Sequence, residues 1–406
     1  MAITDLPSQN LANKDWHVRA AAVRTTSDET LLVDVATGDS SACVRSRAAS
    51  KLTSQSILSS IARNDKDGGV RAIAAAKLTG QGVLFGIATS DADWRGRLAA
   101  VKNITDETVL AEIAAQDRND SVRKAAAGIL TGQFVLAGIA RRDRDGSVRA
   151  VSAARVTEQD ILAKIARSDT DSRVRLAAVR KLTHEDLLAE LAFQDMDCQV
   201  RLCAVTKLTD PIHLAAIAMT DKSFQVSEAA VARLTDQHVL SRIARCADSW
   251  QVRAAAAARV TDQPVLSEIA TKDAHWHVRE VAAETVTGDR TLAQIARFDD
   301  DHRVRLVAAR KLTDQTVLAQ VARSDVDQQV RLAATAALTE PTALVDIAAS
   351  DKYWRIRHVA VAKIADPALL AKIGEKDRDC RVRDAAKRRA RALKSEDGSA
   401  LGGFAK

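Results

Sequence analysis

Aromatic residues and prolines are scarce in this chain of 406 residues. Aromatic side chains make up 3% of the sequence while hydrophobic residues reach 47%, so the apolar content is mostly Ala, Val, Leu and Ile. This composition favours packed helices over a sandwich or barrel built on bulky β-forming side chains. Five prolines and sixteen glycines leave little room for long loops or flexible linkers.

Cysteine pairs and long apolar runs are also missing. The odd number of cysteines and the absence of CxxC spacing argue against a disulfide framework and favour a reducing compartment. No segment approaches the ~18 apolar residues of a membrane-spanning helix. The first residues, MAITDLPSQN, lack the basic start and apolar run of a secretory signal. We therefore expect a cytoplasmic protein without a membrane span.

Positive charge is in excess only at one end of the chain. The net charge is +7, and residues 378–394 carry eight basic against two acidic side chains, so the remainder is nearly neutral. This distribution counts against an extended nucleic-acid interface. The basic run Lys387, Arg388 and Arg389 is the best place for nucleic acid or an acidic partner, or it forms a polar cap for the open end of a repeat array.

The sequence repeats every 26 residues without insertion or deletion. Each unit is marked by an arginine that usually follows Val, here called the ladder arginine, and Ser227 is its one replacement. Fourteen full units occupy 13–376, and a half unit follows. A chain longer than a single core with such a period predicts a repeat array.

Two helical patterns fill each unit. In the third unit Val70, Ala74 and Leu78 fall four apart, which predicts one helix of about eleven residues with Asp67 as its N-cap. Thr79 is the N-cap candidate of a second helix, which carries its own apolar stripe. Helices this short are unstable alone, so stacking on neighbouring units must supply the burial.

The stretch D-x-D-x-x-V-R-x-A-A, as in 169–178, 195–204 and 325–334, resembles the HEAT repeat family and its shorter bacterial HEAT-like variants. The unit is shorter than a usual HEAT repeat, and the Asn-Pro turns and cysteine cluster of leucine-rich variant repeats are missing. The resemblance covers essentially the whole chain. It implies an all-α solenoid, a right-handed superhelix of about 14–15 stacked helix pairs with the Val–Arg helix on its concave side.

This fold predicts three segments along the chain. We expect an N-terminal cap segment at 1–12, the repeat solenoid at 13–394 and a disordered C-terminal tail at 395–406. The fold resemblance says little about function, which must be argued from particular positions.

The ladder arginine is present in 14 of 15 units, and an Asp stands six residues before it in 13 of 15. A charge pair kept at every step predicts a tie between repeats, with Arg forking onto the carboxylate or loop carbonyls of the next unit. The alternative is an arginine row for phosphates. Representative ladder residues are Asp65, Arg71, Asp91, Arg97, Asp169, Arg175, Asp195, Arg201, Asp325 and Arg331. The losses at Ser227 and Ala247 suggest a local hinge within 221–249.

Two further columns are candidates for binding. The position three before the ladder arginine holds every tryptophan and one phenylalanine: Trp16, Trp94, Phe224, Trp250, Trp276 and Trp354. These rings either cover the turn of their own unit or anchor a partner. The position six after it is basic in ten units: Lys51, Lys77, Arg155, Lys181, Lys207, Arg233, Arg259, Lys311, Lys363 and Arg389. These cations either complement the helix dipole or track a phosphate backbone.

Motifs for catalysis and cofactors are lacking. His275, His277 and His302 form a mild concentration, but no further ligand presents itself for a metal. Neither a phosphate-binding loop nor a nucleophile or zinc-protease motif occurs, so we expect no cofactor and no enzyme activity.

The expected function is therefore a non-catalytic scaffold that binds an unidentified protein partner. We expect its binding surface at four positions of each unit whose residues vary freely. They are the positions three and two residues before the ladder arginine and those one and five residues after it. The column directly after the arginine adds apolar area through Leu98, Leu176, Leu202, Leu306 and Leu332. Nucleic-acid binding is the alternative.

Overall fold

The computed structural model describes residues 10–401, with side chains described up to residue 394. Helices follow one another in pairs, and no strand occurs within this range. Each full repeat consists of a Val–Arg helix of 8 or 10 residues, which carries the ladder position, and a second helix of 10. The predicted all-α solenoid of HEAT-like helix pairs is confirmed.

The helices alternate strictly between the two kinds. The Val–Arg helices are α1 Trp16–Thr25, α3 Ala42–Lys51, α5 Gly68–Ala75, α7 Trp94–Val101, α9 Asp120–Ile129, α11 Gly146–Ala153, α13 Ser172–Val179, α15 Cys198–Val205, α17 Phe224–Arg233, α19 Trp250–Ala257, α21 Trp276–Thr285, α23 His302–Lys311, α25 Gln328–Ala337, α27 Trp354–Lys363 and α29 Cys380–Leu401. The second helices are α2 Glu29–Gly38, α4 Gln55–Asn64, α6 Gln81–Ser90, α8 Glu107–Gln116, α10 Gln133–Arg142, α12 Gln159–Ser168, α14 Glu185–Gln194, α16 Pro211–Thr220, α18 Gln237–Cys246, α20 Gln263–Lys272, α22 Asp289–Phe298, α24 Gln315–Ser324, α26 Pro341–Ser350 and α28 Pro367–Lys376.

The third repeat shows why each Val–Arg helix begins where it does. The Asp67 side chain accepts hydrogen bonds from the amides of Gly69 and Val70, at 2.8 and 3.1 Å, so its prediction as the N-cap is confirmed. Val70 and Ala74 are fully buried. The helix ends at Ala75 and is shorter than the sequence predicts.

The prediction of Thr79 as the N-cap of the second helix is wrong. The cap is Gly80, and the equivalent residue is Asp in several other repeats. Thr79 lies outside the helix, where its amide and hydroxyl both donate to Oε1 of Gln55 in the preceding repeat, at 3.0 and 3.2 Å. Thr79 thus ties two adjacent repeats together. A search for helix caps does not detect a bond of this kind.

Small side chains set the spacing of the helices. The chain divides into two compact units, 1–207 and 208–406, and each is a stack of repeats. Within each unit the Val–Arg helices pack closely against their counterparts in neighbouring repeats, whereas the second helices approach one another at few positions. The residue three after the ladder arginine is Ala in 14 of 15 repeats, and at Ala74 and Ala100 it is fully buried. An alanine there lets two helix axes come close together.

The described chain bears on several general expectations. All five cysteines are free thiols. Among the described helices, none is both long and apolar enough to cross a bilayer. Residues 1–9 of the predicted cap segment and residues 402–406 of the predicted tail lie outside the described range. The predicted tail boundary at 395 falls inside α29, which continues to Leu401.

Candidate functional site

The ladder arginine joins each repeat to the next. In the fourth repeat, Nε and Nη2 of Arg97 donate to the two carboxylate oxygens of Asp117, at 2.7 and 2.9 Å. Asp117 lies twenty residues ahead and belongs to the following repeat. Nη1 of Arg97 donates to the carbonyl of Asp91 in its own repeat, at 2.9 Å. The carboxylate partner is therefore the Asp of the next repeat, while the Asp six residues earlier contributes its main-chain oxygen.

The same arrangement recurs in both units, with N–O distances of 2.6 to 2.8 Å. Its rungs in residues 1–207 are Arg19–Asp39, Arg45–Asp65, Arg71–Asp91, Arg97–Asp117, Arg123–Asp143, Arg149–Asp169 and Arg175–Asp195. Those in residues 208–394 are Arg253–Asp273, Arg279–Asp299, Arg305–Asp325, Arg331–Asp351 and Arg357–Asp377. Because each guanidinium is occupied by protein oxygens, these arginines are not placed to receive phosphates.

We expect acid to weaken this ladder. Burial opposes ionisation of Asp117, but hydrogen bonds from Arg97 and the Asn119 amide outweigh it and hold the pKa of this carboxyl below its ordinary value. The hydrogen bond from Arg19 likewise lowers the pKa of Asp39. A carboxyl with a lowered pKa stabilises the fold fully above its unfolded pKa of about 4, and this contribution disappears as the pH falls through the folded pKa.

Urea unfolding should therefore give a nearly constant free energy of unfolding from pH 7 down to the ordinary carboxyl pKa of about 4, and a steep decline below it. A decline that is already complete at pH 5 would contradict this assignment, since it would implicate histidines instead of the ladder carboxylates.

The two exceptions in the ladder form a single missing rung. Ala247 lies twenty residues after Ser227, at the position where the carboxylate partner of an arginine at 227 would stand. Both residues are buried, at 1% and 4% exposure. The Ser227 hydroxyl donates to the carbonyl of Asp221, at 3.3 Å, and so replaces the carbonyl bond of the usual arginine. The hinge within 221–249 stays a prediction.

The basic column six after the ladder arginine caps helix ends. Nε of Arg155 and Nη2 of Arg259 donate to the carbonyls of Leu130 and Leu234 in the preceding repeat, both at 2.9 Å. Eight of the ten predicted cations do this: Lys51, Lys77, Arg155, Lys207, Arg233, Arg259, Lys311 and Lys363. Lys181 is exposed and Arg389 is half-buried. Cations beside the last carbonyls of a helix satisfy unpaired acceptors and complement its dipole.

The tryptophan column lies at the first residue of the Val–Arg helices, and its contacts reach the next repeat. The Trp250 ring stacks on His275, with ring centroids 4.1 Å apart and planes 3° from parallel. Arg303 lies 3.2 Å above the Trp276 ring. Trp94 and Phe224 are 41% and 39% accessible, and Trp16, whose ring stacks on that of His17 in its own repeat with centroids 3.7 Å apart, is 40% accessible. The column thus serves partly as contact between repeats and partly as free surface.

The histidines belong to this aromatic rim. His275 is the N-cap of α21 and accepts from the amide of His277, at 3.2 Å. Nδ1 of His277 lies 2.9 Å from Glu280. His302 lies beside the N-cap carboxylate of Asp301. Across the described residues, no three His, Cys, Asp or Glu side chains converge in a way that would hold a metal ion.

A groove lies over the last four Val–Arg helices, α23, α25, α27 and α29, and we call it the C-terminal groove. It consists of two adjoining cavities of about 470 and 360 Å³ that share Leu332. Its floor is apolar and contains Leu332, Ala333, Ala336, Ala337, Trp354 and Val359. Its polar lining consists of Arg310, Gln329, Arg355, His358, Arg381, Asp384 and Arg388.

Three of the four arginines in this groove lack an acidic partner among the side chains that the structure describes. Arg381 is bound to Asp379, at 2.9 Å, and covers the Trp354 ring from 3.5 Å. For Arg310, Arg355 and Arg388, in contrast, the described residues provide neither a hydrogen bond nor an ion pair. They differ in this from the ladder arginines.

The lack of a partner at Arg355 has a cause in the sequence. Arginines two before the ladder position normally bind the N-cap aspartate of their own helix, as Arg303 binds Asp301 at 2.9 Å. In the fourteenth repeat the N-cap is Tyr353, which cannot accept in this way. Sequence reasoning predicted Arg388 as part of a basic run but missed Arg310 and Arg355. A search for arginines whose neighbouring cap has lost its carboxylate would have found Arg355.

Comparisons with known proteins add no functional information. The chain matches no protein-family model and no curated protein. It is similar to the solved structure of a leucine-rich repeat variant, with 23% identity over 55% of this chain and 88% of that chain and a TM-score of 0.43. It is also similar to Kap121p bound to RanGTP, with 12% identity over 98% of this chain and a TM-score of 0.40.

A third similar structure is the S. pombe condensin Cnd3–Cnd2 subcomplex, with 13% identity over 94% of this chain, 71% of that chain and a TM-score of 0.29. This chain spans about half the length of the Kap121p chain, 53%. Similarity at this level says nothing of what the chain binds. The fold assignment rests on the helix pairs and their packing.

Proposed function

We propose that this protein is a non-catalytic scaffold that binds a protein partner through the surface of its Val–Arg helices. One observation carries the proposal: the positions that recur in the repeats are occupied by internal bonds, whereas the variable position five residues after the ladder position is exposed in each of the fifteen described repeats. Lys124 and Glu228, directly after the ladder position, are exposed, as are Arg180 and Glu284, five residues after it. Variable exposed positions on a repeated frame are how solenoids present a binding surface.

The packing of the repeats supports placing this surface on the concave side of each unit. The Val–Arg helices approach one another more closely than the second helices do. In a stack of helix pairs the more closely spaced layer lies on the inside of any curvature. The D-x-D-x-x-V-R-x-A-A stretches and the stacked helix pairs support membership in the short HEAT-like repeat family.

The use of the acidic residues supports a non-catalytic role. The paired aspartates of the repeat serve as ladder partners and helix N-caps, as Asp65 and Asp67 do. Carboxylates with these bonds are not available as general acids or bases. The five free thiols support a cytoplasmic location.

Nucleic-acid binding is the weaker proposal. The long basic stripe on which it relied is mostly engaged with helix-end carbonyls, which weighs against a phosphate track. The exposed Lys387, Arg388, Arg391 and Lys394 at the C-terminal end remain available to it. Fluorescence anisotropy with labelled duplex DNA and single-stranded RNA tests this alternative, because binding to phosphates weakens steeply with salt.

Site-directed photo-crosslinking tests the scaffold proposal. A photoreactive amino acid placed at Lys124 or Glu228, on the Val–Arg helices, should form adducts with one common protein in the cells that make this chain. The matched controls are Glu112 and Arg242, which are exposed on second helices. Equal adducts from the control positions, or no adducts from the Val–Arg positions, would count against the proposed surface.

A further inference from the structure

We infer that the C-terminal groove binds an acidic peptide segment that inserts an apolar side chain between its arginines. This inference rests on the proposed function and gives that function a site and a partner chemistry. The groove combines an apolar floor with guanidinium groups that have no acid of their own. The ladder arginines of the twelve rungs, in contrast, are bound to aspartates and offer no free guanidinium to a ligand.

The floor of the groove determines the apolar part of the ligand. Leu332, Trp354 and Val359 are half-buried and line a cavity of about 470 Å³. Leu332 also lines the adjoining cavity, so the apolar surface continues along α25. A concave apolar surface of this size accepts a leucine or phenylalanine side chain and gains free energy from its removal from water.

The charges around the floor determine the rest of the ligand. Arg310, Arg355 and Arg388 are exposed and unpaired among the described residues, and Asp384 is the single acidic side chain that lines the groove there. Three unneutralised guanidiniums opposed by one carboxylate favour an anionic ligand. Arginine forks match carboxylates with two hydrogen bonds each, and such bonds are stronger than neutral ones.

The same geometry favours a peptide over a nucleic acid. The Arg381 guanidinium lies 3.5 Å from the centre of the Trp354 ring and occupies one of its faces, so that face cannot stack on a base. Among the described residues the groove brings together three unpaired arginines around an apolar floor, whereas phosphate tracking needs a long row of cations. An apolar floor between cations fits an aliphatic or aromatic side chain flanked by Asp and Glu.

Fluorescence anisotropy with the full-length protein tests this inference. The probe is the labelled peptide Glu-Asp-Glu-Leu-Glu-Phe-Asp-Glu, compared with the same peptide carrying Gln and Asn in place of Glu and Asp. A labelled single-stranded oligonucleotide serves as the third probe. The acidic peptide should bind, its neutral counterpart should bind at least about tenfold more weakly, and higher salt should weaken the acidic complex.

Variants with matched controls locate the site. Arg388→Gln combined with Arg355→Gln should weaken peptide binding by about fivefold to tenfold, and Leu332→Asp by at least about tenfold. Asp384→Asn should strengthen binding about twofold, because it removes the opposing carboxylate. The controls are Arg180→Gln and Leu176→Asp, which stand at the same repeat positions as Arg388 and Leu332 but in the seventh repeat. Circular dichroism melts verify that each variant is folded.

The outcomes separate this inference from the scaffold proposal. Absence of peptide binding, or equal losses from the control variants in the seventh repeat, would overturn the groove inference. Neither result would affect the crosslinking of the Val–Arg surface, and the scaffold proposal depends on that crosslinking. Tighter binding of the oligonucleotide, lost in Arg388→Gln, would overturn the inference in favour of a phosphate site.

Discussion

Arg97→Met should lower the free energy of unfolding by about 3–5 kcal/mol, because it leaves the carboxylate of Asp117 buried without its counter-charge. Arg97 is 3% exposed, and its two hydrogen bonds to Asp117 are accompanied by a third to a loop carbonyl. The loss is large for a single substitution since the remaining carboxylate is 7% exposed and keeps the Asn119 amide as its one other hydrogen-bond donor among the described residues. Urea unfolding followed by tryptophan fluorescence measures it.

The matched experiments show whether the pair or the single charge matters. The double variant Arg97→Met with Asp117→Leu should recover most of the loss, because a pair of apolar residues leaves no buried charge behind. Arg95→Gln is the surface control, since Arg95 makes an ion pair with Asp93 at 2.7 Å but is half exposed. If Arg97→Met cost no more than this control, the ladder would not be the tie between repeats.

Sequence analysis predicted the fold, the ladder columns and a tie between repeats, but periodicity by itself does not show which Asp is the carboxylate partner. An Asp six residues before an arginine and an Asp twenty residues after it occupy the same column of a 26-residue repeat. A perfect repeat therefore cannot tell a bond within a unit from a bond to the next. Only the exceptions distinguish these two bonds. The arginine replaced by Ser227 and the aspartate replaced by Ala247 are twenty residues apart and are missing together.

Other features depended on contacts between repeats that a single unit does not contain. Thr79 is a residue type typical of helix N-caps, yet its role is the hydrogen bond to Gln55 in the preceding repeat. The basic column matches both a phosphate track and a set of helix caps, and the carbonyls that decide between them belong to the preceding repeat. The C-terminal groove was not predicted because its free arginines are defined by missing partners. Of these missing partners, the sequence reveals one, the N-cap aspartate that Tyr353 replaces.

The missing rung gives the converse of the first experiment. Ser227→Arg alone and Ala247→Asp alone should each destabilise the protein by about 3 kcal/mol or more, since each buries a charge without a partner. Both positions have the main-chain arrangement of a normal rung, with Ser227 already bonded to the carbonyl of Asp221. The double variant should therefore regain the lost stability, to within about 1 kcal/mol of the original protein.

Amide hydrogen exchange in the double variant then tests the predicted hinge. If 221–249 opens more readily because no rung holds it, the restored rung should slow exchange in α17 and α19 and leave the distant α27 unchanged. Equal exchange rates with and without the rung would show that Ser227 and Ala247 merely replace a charge pair by a neutral one. If Ser227→Arg and Ala247→Asp were each as stable as the original protein, the pairing of an arginine with the aspartate twenty residues later would be wrong at this rung. An unpaired buried charge at either position should destabilise the fold.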